Sequence, residues 1–325
     1  MASLDCGNEP AVNAGTTFDV DERDQNQRTR LHYAALANDI ASVESLIEKK
    51  ATVNVSDNMN HTPLHLAAKW GYSEPMRLLI DAKATLDDQD DSNMTALHYV
   101  VEGGHDAALQ VLLQAKAYVD LNDTSNHSPL YIAILRGHDA AVQALLDANA
   151  SVDGTGRADT PLLNAAVCGR TAAVRALITA KASVNARDRN YRGGENRAPL
   201  HYAARDGYSE VVHLLVDAKA DLDVRDDHNG EADRTPLHFA AASGHDAIVR
   251  SLVDAKASVN ILDRWGRNPL HLAAMYGKTA AAQILIDASA AVNLADTANF
   301  TPLHYASEAG HADVVLLLLE TGARK

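Results

Sequence analysis

Cysteine is nearly absent: Cys6 and Cys168 are the only two among 325 residues. Two thiols cannot build a disulfide framework, and they fit a reducing compartment. Aromatic residues are also scarce, at 5% of the chain, while apolar residues make up 46%. The core must therefore be made of Ala, Leu, Val and Ile, which suits thin helices packed closely. No apolar run approaches the ~18 residues that a membrane span needs. The N-terminal stretch lacks the basic-then-apolar pattern of a signal peptide. Its Asp5, Glu9, Asp19, Asp21 and Glu22 speak against a transit peptide. These absences point to the cytosol or the nucleus. Positive charge is in deficit as well, and the formal net charge is −14. Phosphate binding needs a basic face, so a nucleic-acid partner is disfavoured, as is an anionic membrane surface.

What the chain does have is one phrase written many times. Thr62-Pro63-Leu64-His65-Leu66-Ala67-Ala68 returns in full or in part at Thr95, Ser128, Thr160, Ala198, Thr235, Asn268 and Thr301, with an earlier imperfect copy at Thr29. The spacings are 33, 33, 33, 32, 38, 37, 33 and 33 residues. Self-similarity at such a period means a stacked array in which each unit touches only its neighbours. Thr-Pro-Leu-His-x-Ala at this period resembles the ankyrin repeat. The resemblance covers the chain from about Val20 to its end in nine copies. It implies a mainly α solenoid of helix-turn-helix repeats joined by β-hairpin fingers, with residues 20–325 as the array. Residues 1–19 lack periodicity and read as a flexible tail.

Each repeat can be read locally. Thr62 suits a helix N-cap, and Pro63 at the first helical position loses no hydrogen bond. Gly71 and its counterparts end the inner helix, where a positive φ is often required. Asn38 takes that slot in the first repeat. An outer helix follows, with Ile248, Val249, Leu252 and Val253 as one apolar stripe. At its end the family usually has Gly, as at Gly322. Here the slot holds Lys50, Lys83, Lys116, Asn149, Lys181, Lys219, Lys256 and Ser289. Either these residues accept a left-handed conformation at about 1 kcal/mol, or the helices end differently.

Two connections are long: residues 186–197 hold about five extra residues and 224–234 about four. They read as enlarged, mobile surface fingers that contribute to partner choice. Charge along the fingers is uneven. Repeats two to four offer Asp57, Asp87, Asp88, Asp90, Asp91 and Asp123, so that half of the edge should be acidic. Repeats six to eight mix acids with Arg187, Arg189, Arg192, Arg197, Arg225, Arg234, Arg264 and Arg267.

The fifteen histidines suggest metal or catalysis at first sight. Seven of them, His32, His65, His98, His201, His238, His271 and His304, share one repeat slot. Four more, His105, His138, His245 and His311, follow the inter-helix Gly. Residues that recur with the period serve the architecture, with the rings satisfying backbone groups between repeats. No Cys-x-x-Cys or His-Glu-x-x-His spacing supports zinc. The run Asp87–Asp91 is not a calcium loop of the EF-hand kind. Counted from Asp88, the required Gly and Glu positions hold Asn93 and Tyr99. Cys168 has no fixed base that would make it a nucleophile. No catalytic, cofactor or metal residue is expected.

The resemblance further implies that a protein partner binds the finger tips and the two inner-helix residues before the Gly. Those positions include Lys69, Trp70, Arg136, Tyr191, Arg192, Arg205, Arg264, Trp265, Arg267, Met275, Tyr276 and Phe300. Trp, Tyr and Arg dominate binding hot spots. Trp265, Met275, Tyr276 and Phe300 should be neighbours. The implied function is protein–protein recognition by an adaptor or scaffold, expected as a monomer. The alternatives are a permanent subunit of a larger assembly and, more remotely, an enzyme. The last outer helix adds one oddity. Leu316 occupies a slot that earlier repeats fill with Arg77, Gln110, Gln143, Arg175, His213, Arg250 or Gln283. It should point to solvent and offer a second contact at the C-terminal repeat.

Overall fold

The computed structural model describes residues 19–154, 160–188, 196–227 and 233–323. Eighteen helices alternate in two rows and are numbered here in chain order. The inner row is α1 (Arg30–Leu36), α3 (Pro63–Lys69), α5 (Ala96–Glu102), α7 (Pro129–Arg136), α9 (Pro161–Val167), α11 (Pro199–Asp206), α13 (Pro236–Ser243), α15 (Pro269–Met275) and α17 (Pro302–Glu308). The outer row is α2 (Ile40–Glu48), α4 (Ser73–Asp81), α6 (Asp106–Gln114), α8 (Asp139–Asp147), α10 (Thr171–Thr179), α12 (Ser209–Asp217), α14 (Asp246–Asp254), α16 (Thr279–Asp287) and α18 (Ala312–Glu320). Each inner helix packs on its own outer helix and on the inner helices before and after it. The result is a nine-repeat solenoid. Paired alanines such as Ala67–Ala68 and Ala240–Ala241 are fully buried and let the inner helices approach closely. Leu64, Leu97, Leu237 and Leu270 fill the spaces between them.

The inner helices start as their residues dictate. Thr62 accepts the backbone N–H of His65 at 3.4 Å, and Pro63 fills the first turn. The outer helices end in the left-handed region. Lys83 has φ 71°, Lys256 74° and Ser289 67°, so the array accepts that conformation in non-glycine residues. Local bonds support it. The N–H groups of Lys83 and Ala84 donate to the carbonyls of Ile80 and Leu79, and the Lys83 carbonyl accepts Asn54 Nδ2 from the preceding finger at 3.2 Å. Asn260 Nδ2 does the same for Ser289. Asn38 is left-handed too, with φ 56°.

The expected β-hairpins are not strands. Among the described residues the fingers contain turns and no strand. The physical reason is an aspartate that takes the place of a ladder. Asp57 Oδ1 accepts the N–H groups of Met59 and His61, both at 2.9 Å, while its own N–H donates to the His61 carbonyl. Asp24, Asp90, Asp123, Asp263 and Asp296 repeat this grip on the N–H groups two and four residues on. Successive turns are then joined by single backbone bonds, such as Asp91 N–H to Met59 O and Thr297 N–H to Trp265 O.

Candidate partner-recognition surface

The repeat-slot histidines are part of the frame. Nδ1 of His65 accepts the Thr62 N–H at 3.1 Å, which places the ring proton on Nε2. That Nε2–H donates across to the next repeat, to the carbonyls of Asp88 (2.9 Å) and Met94 (3.2 Å). His238 joins Thr235 to the Arg267 carbonyl, and His201 joins Ala198 to the Arg234 carbonyl, in the same way. Burial pushes the rings toward neutrality, His201 down to about 3 and His238 to about 4. The histidines after the Gly work in the opposite direction. His105, His245 and His311 bond the carbonyls of Lys69, Arg205 and Met275 at the end of the preceding inner helix. They also lie over the preceding glycine: a Cβ on Gly71 would come within 2.4 Å of His105. Both sets are therefore repeat-to-repeat ties. Among the described residues no group of three His, Cys, Asp or Glu side chains is placed to hold a metal ion. Burial raises the Cys168 thiol, which keeps it from acting as a ready nucleophile.

The acidic edge expected from repeats two to four is weaker than its composition suggests. Asp57 and Asp90 are buried and engaged by their own turns. Burial alone would push the Asp57 carboxyl up, but the N–H of Met59, the Arg28 guanidinium and the N–H of His61 outweigh it and hold it low. Arg28 meets Asp57 at 2.9 Å. Tyr99 donates to Asp90 at 2.5 Å, and Tyr305 to Asp296 at 2.6 Å. Tyr202 donates to Asp188 in the same manner. These Asp, Arg and Tyr positions were read from the sequence only as surface charge or not at all. Their signal was a recurrence: an Asp five residues before each N-cap in every short finger but the fifth.

The long fingers keep the same grip at their base. Asp188 N–H donates to the Arg197 carbonyl and Asp226 N–H to the Arg234 carbonyl, both at 2.9 Å. The carboxylates of Asp188 and Asp226 take the N–H groups of Arg197 (3.2 Å) and Arg234 (2.7 Å). Each long finger is thus closed at its base. Their tips, 189–195 and 228–232, lie outside the described residues, and so do Tyr191 and Arg192.

The other proposed contact residues divide by exposure. Lys69, Trp70, Arg136, Arg264, Trp265 and Tyr276 are exposed, and Arg205, Met275 and Phe300 are half-buried. Arg136 crosses to Glu102 of the preceding repeat, and Arg205 pairs with Asp206. Arg267 is only 9% exposed. It binds Asp263 at 2.8 and 3.0 Å and lies 4.4 Å from the Trp265 ring centre, so it supports Trp265 from beneath instead of reaching outward. The Arg234 guanidinium lies 5.4 Å from the same ring. Phe300 packs on His304 and Tyr305. The Trp265 and Phe300 backbones are neighbours through Thr297. Arg267 links the two rings, since it lies under Trp265 and also donates to the Tyr305 hydroxyl, on whose ring Phe300 packs.

Two rows of helices, the Thr-Pro-Leu-His ties and the turn fingers define an ankyrin-repeat protein, and the chain belongs to that family. A family model described as ankyrin repeats in three copies matches residues 1–90, 76–156, 149–226, 189–263 and 237–325. The chain is similar to the ankyrin repeat domain of human ASB11, a crystal structure, at 27% identity and a TM-score of 0.58 over 71% of this chain and 99% of that one. No curated protein sequence matches. Ankyrin repeats are in general protein–protein interaction modules, and the matched family is not a catalytic one. Among the described residues no helix is long and apolar enough to cross a membrane.

Proposed function

We propose that this array is an adaptor or scaffold. It recognises a partner protein along the edge formed by its finger turns and the ends of its inner helices, without catalysis, in the cytosol or nucleus. One observation carries the reading. The repeat-slot histidines and finger aspartates are engaged within the frame, whereas Trp70, Trp265 and Tyr276 remain 52%, 40% and 50% exposed at inner-helix ends and a finger turn. Large amphipathic rings on a rigid frame are what recognition uses, since little entropy is lost when they dock. Lys69, Arg136, Arg205, Arg264, Met275 and Phe300 complete the surface. Tyr191 and Arg192 extend it on the enlarged finger. The test is affinity capture from a lysate with the wild type and with Trp265→Ala/Tyr276→Ala. A specific partner lost from the double variant supports the reading, and a partner retained in full refutes this face. Shortening 186–197 and 224–234 to the length of a plain finger should leave the stack folded and weaken capture.

A second contact is favoured at the C-terminal repeat. Leu316 is 59% exposed and Leu319 52%, and Leu316 stands where the other outer helices show a polar residue.

A further inference from the structure

We propose that a second copy of this chain stacks on α17 and α18, so that the last repeat of one molecule meets the first repeat of the next as consecutive repeats meet within one array. It rests on the second contact named above and says what takes it. No residue outside 19–323 has a part in it.

The C-terminal repeat presents one side of a repeat junction. The slot of Leu319 is half-buried in the earlier repeats, as at Ile80, Leu113 and Ile286, whereas Leu319 is 52% exposed. A Cβ on Gly277 would strike His311 of the following repeat, but a Cβ on Gly310 meets nothing within 4 Å. Elsewhere Nε2 of the slot histidine bonds the carbonyl just before the next N-cap, as from His32 to His61 and from His238 to Arg267. His304 carries the same proton, since its Nδ1 takes the Thr301 N–H at 3.1 Å, and among the described residues its Nε2 has no partner.

The N-terminal repeat presents the other side. Tyr33 occupies the slot of Leu66, Tyr202, Phe239 and Leu272, all buried, yet it is 44% exposed. Within the array this slot receives the histidine of the preceding repeat edge-on, His201 on Phe239 at 5.8 Å and His271 on Tyr305 at 6.1 Å. The Arg267 carbonyl accepts both the Asp263 N–H and the His238 ring. Among the described residues, its counterpart on Arg28 accepts the Asp24 N–H alone. A His304 ring arriving from another copy thus finds the acceptor and the aromatic face that its counterparts use.

Two exceptions in the sequence then match. Arg175 reaches Glu210 at 3.1 Å, so the slot of Leu316 faces the second residue of the next outer helix. In a stacked copy that residue is Ala41, beside Ile40. Leu316 is the one apolar residue in its slot, and Ile40 is the one large apolar residue in a slot that otherwise holds Ser, Asp, Thr or Ala. They are 59% and 40% exposed at opposite ends of the array. One junction accounts for both.

The junction lacks one tie, which makes it weak. Where His311 bonds the Met275 carbonyl, the first repeat has Asp39, whose carboxylate holds Ser42 and has no proton to give the Glu308 carbonyl. Two molecules of net charge −14 also repel, so association belongs to high concentration and strengthens with salt. A symmetric pairing of Leu316 with Leu316 would leave Tyr33 and Ile40 wet and stop at two copies. A head-to-tail contact that does not close into a ring grows further.

Leu316→Glu and Ile40→Lys can be compared with wild type by sedimentation velocity over a concentration series. Both residues are exposed on helix surfaces, and circular dichroism verifies that each variant keeps the fold. Wild type should form species that grow beyond a dimer as concentration rises. Each variant alone should associate at least about tenfold more weakly, because an apolar side chain then meets a charge. An equimolar mixture should recover association: the new carboxylate of one variant meets the new ammonium of the other, and the alternate junction is native. Four results would each overturn the proposal: a monomer at every concentration, growth that stops at a dimer, a loss in Leu316→Glu without one in Ile40→Lys, or a mixture that does not recover. A partner captured through Trp265 and Tyr276 by a chain that stays monomeric leaves recognition standing and removes this junction. Association as expected with no partner captured does the reverse.

Discussion

His61 stands where four other repeats place an arginine: Arg28, Arg197, Arg234 and Arg267. Arg28 and Arg197 use Nε to bind the buried Asp of the next finger, at 2.9 and 3.2 Å. His61 lies 3.5 Å from both Asp57 and Asp90, and its Nδ1 is buried without a hydrogen-bond partner. A guanidinium would supply the missing donor, and hydrogen bonds to charged groups contribute about 1.5–3 kcal/mol before the longer side chain is ordered. His61→Arg should therefore raise stability by about 1 kcal/mol, seen as a higher urea midpoint; a lower midpoint would show that the pocket is shaped for the ring. The repeat-slot histidines offer a sharper contrast. His238 is fully buried and bonded at both nitrogens, so His238→Ala leaves the Thr235 N–H unpaired and takes one of two donors from the Arg267 carbonyl, which keeps the Asp263 N–H. A loss of about 2–4 kcal/mol is expected. His304 holds Thr301 through Nδ1 but is half-buried in the last described repeat. His304→Ala should cost less than half as much, and equal losses in urea unfolding would contradict the role assigned to the cross-repeat bond.

At the level of the helix and its connections, the left-handed lysines give a direct test. Lys83 and Lys256 have φ 71° and 74°, a conformation that costs a side-chain-bearing residue about 1 kcal/mol relative to Gly. Lys256→Gly should stabilise the array by about 0.5–1 kcal/mol, less whatever the freer unfolded chain takes back. A thermal scan that shows destabilisation would mean the lysine contributes more at the helix end than its backbone costs. This element also shows what could be read beforehand. Helix starts, the Gly slots, Asn38 and the histidine ties were legible because each recurs with the period and has one physical job. The conformation of Lys83 was not, since nothing in a lysine's sequence context marks a positive φ, yet Lys50, Lys116 and Lys256 share it even where an Asp replaces Asn54. The strand-like fingers were misjudged for a related reason. An Asp that grips two N–H groups looks, in sequence, like any exposed acid in a loop. Composition alone could likewise not separate Arg267, which lies under Trp265, from Arg264, which is exposed.

The whole molecule sums these local choices into a response to acid. His32, His65, His98, His201, His238 and His271 are all pushed below the ordinary imidazole value, by burial first, against the hydrogen bonds they donate. The unfolded chain therefore takes up protons near pH 6.5 while the folded one does not. Their contribution is complete above that pH and is lost as pH falls toward the folded values, about 4 for His238 and about 3 for His201. Each ring held neutral costs about 1.4 kcal/mol per pH unit in that window. Urea midpoints should be level above about pH 7 and drop steeply below about pH 6, with uptake of several protons on unfolding. A flat profile down to pH 5 would rule out the buried neutral rings. Self-association is the other property of the whole. Leaving one leucine wet forgoes roughly 1.5–3 kcal/mol of burial, so wild type should associate weakly at high concentration through Leu316 while Leu316→Arg should not. Sedimentation over a concentration series decides, and identical behaviour makes Leu316 a tolerated surface residue.

The closed necks beneath the two long fingers have a consequence for how such a chain can change. Asp188 and Asp226 tie the residues at both ends of each insertion to one another. Lengthening a loop whose ends are already held costs little, about 0.6 kcal/mol for each doubling. The necks are sockets: a foreign sequence inserted between Asp188 and Arg197 starts and ends at two points already bonded to each other. A scaffold built this way can acquire a new recognition loop in one insertion event, and a protein engineer can use the same two points.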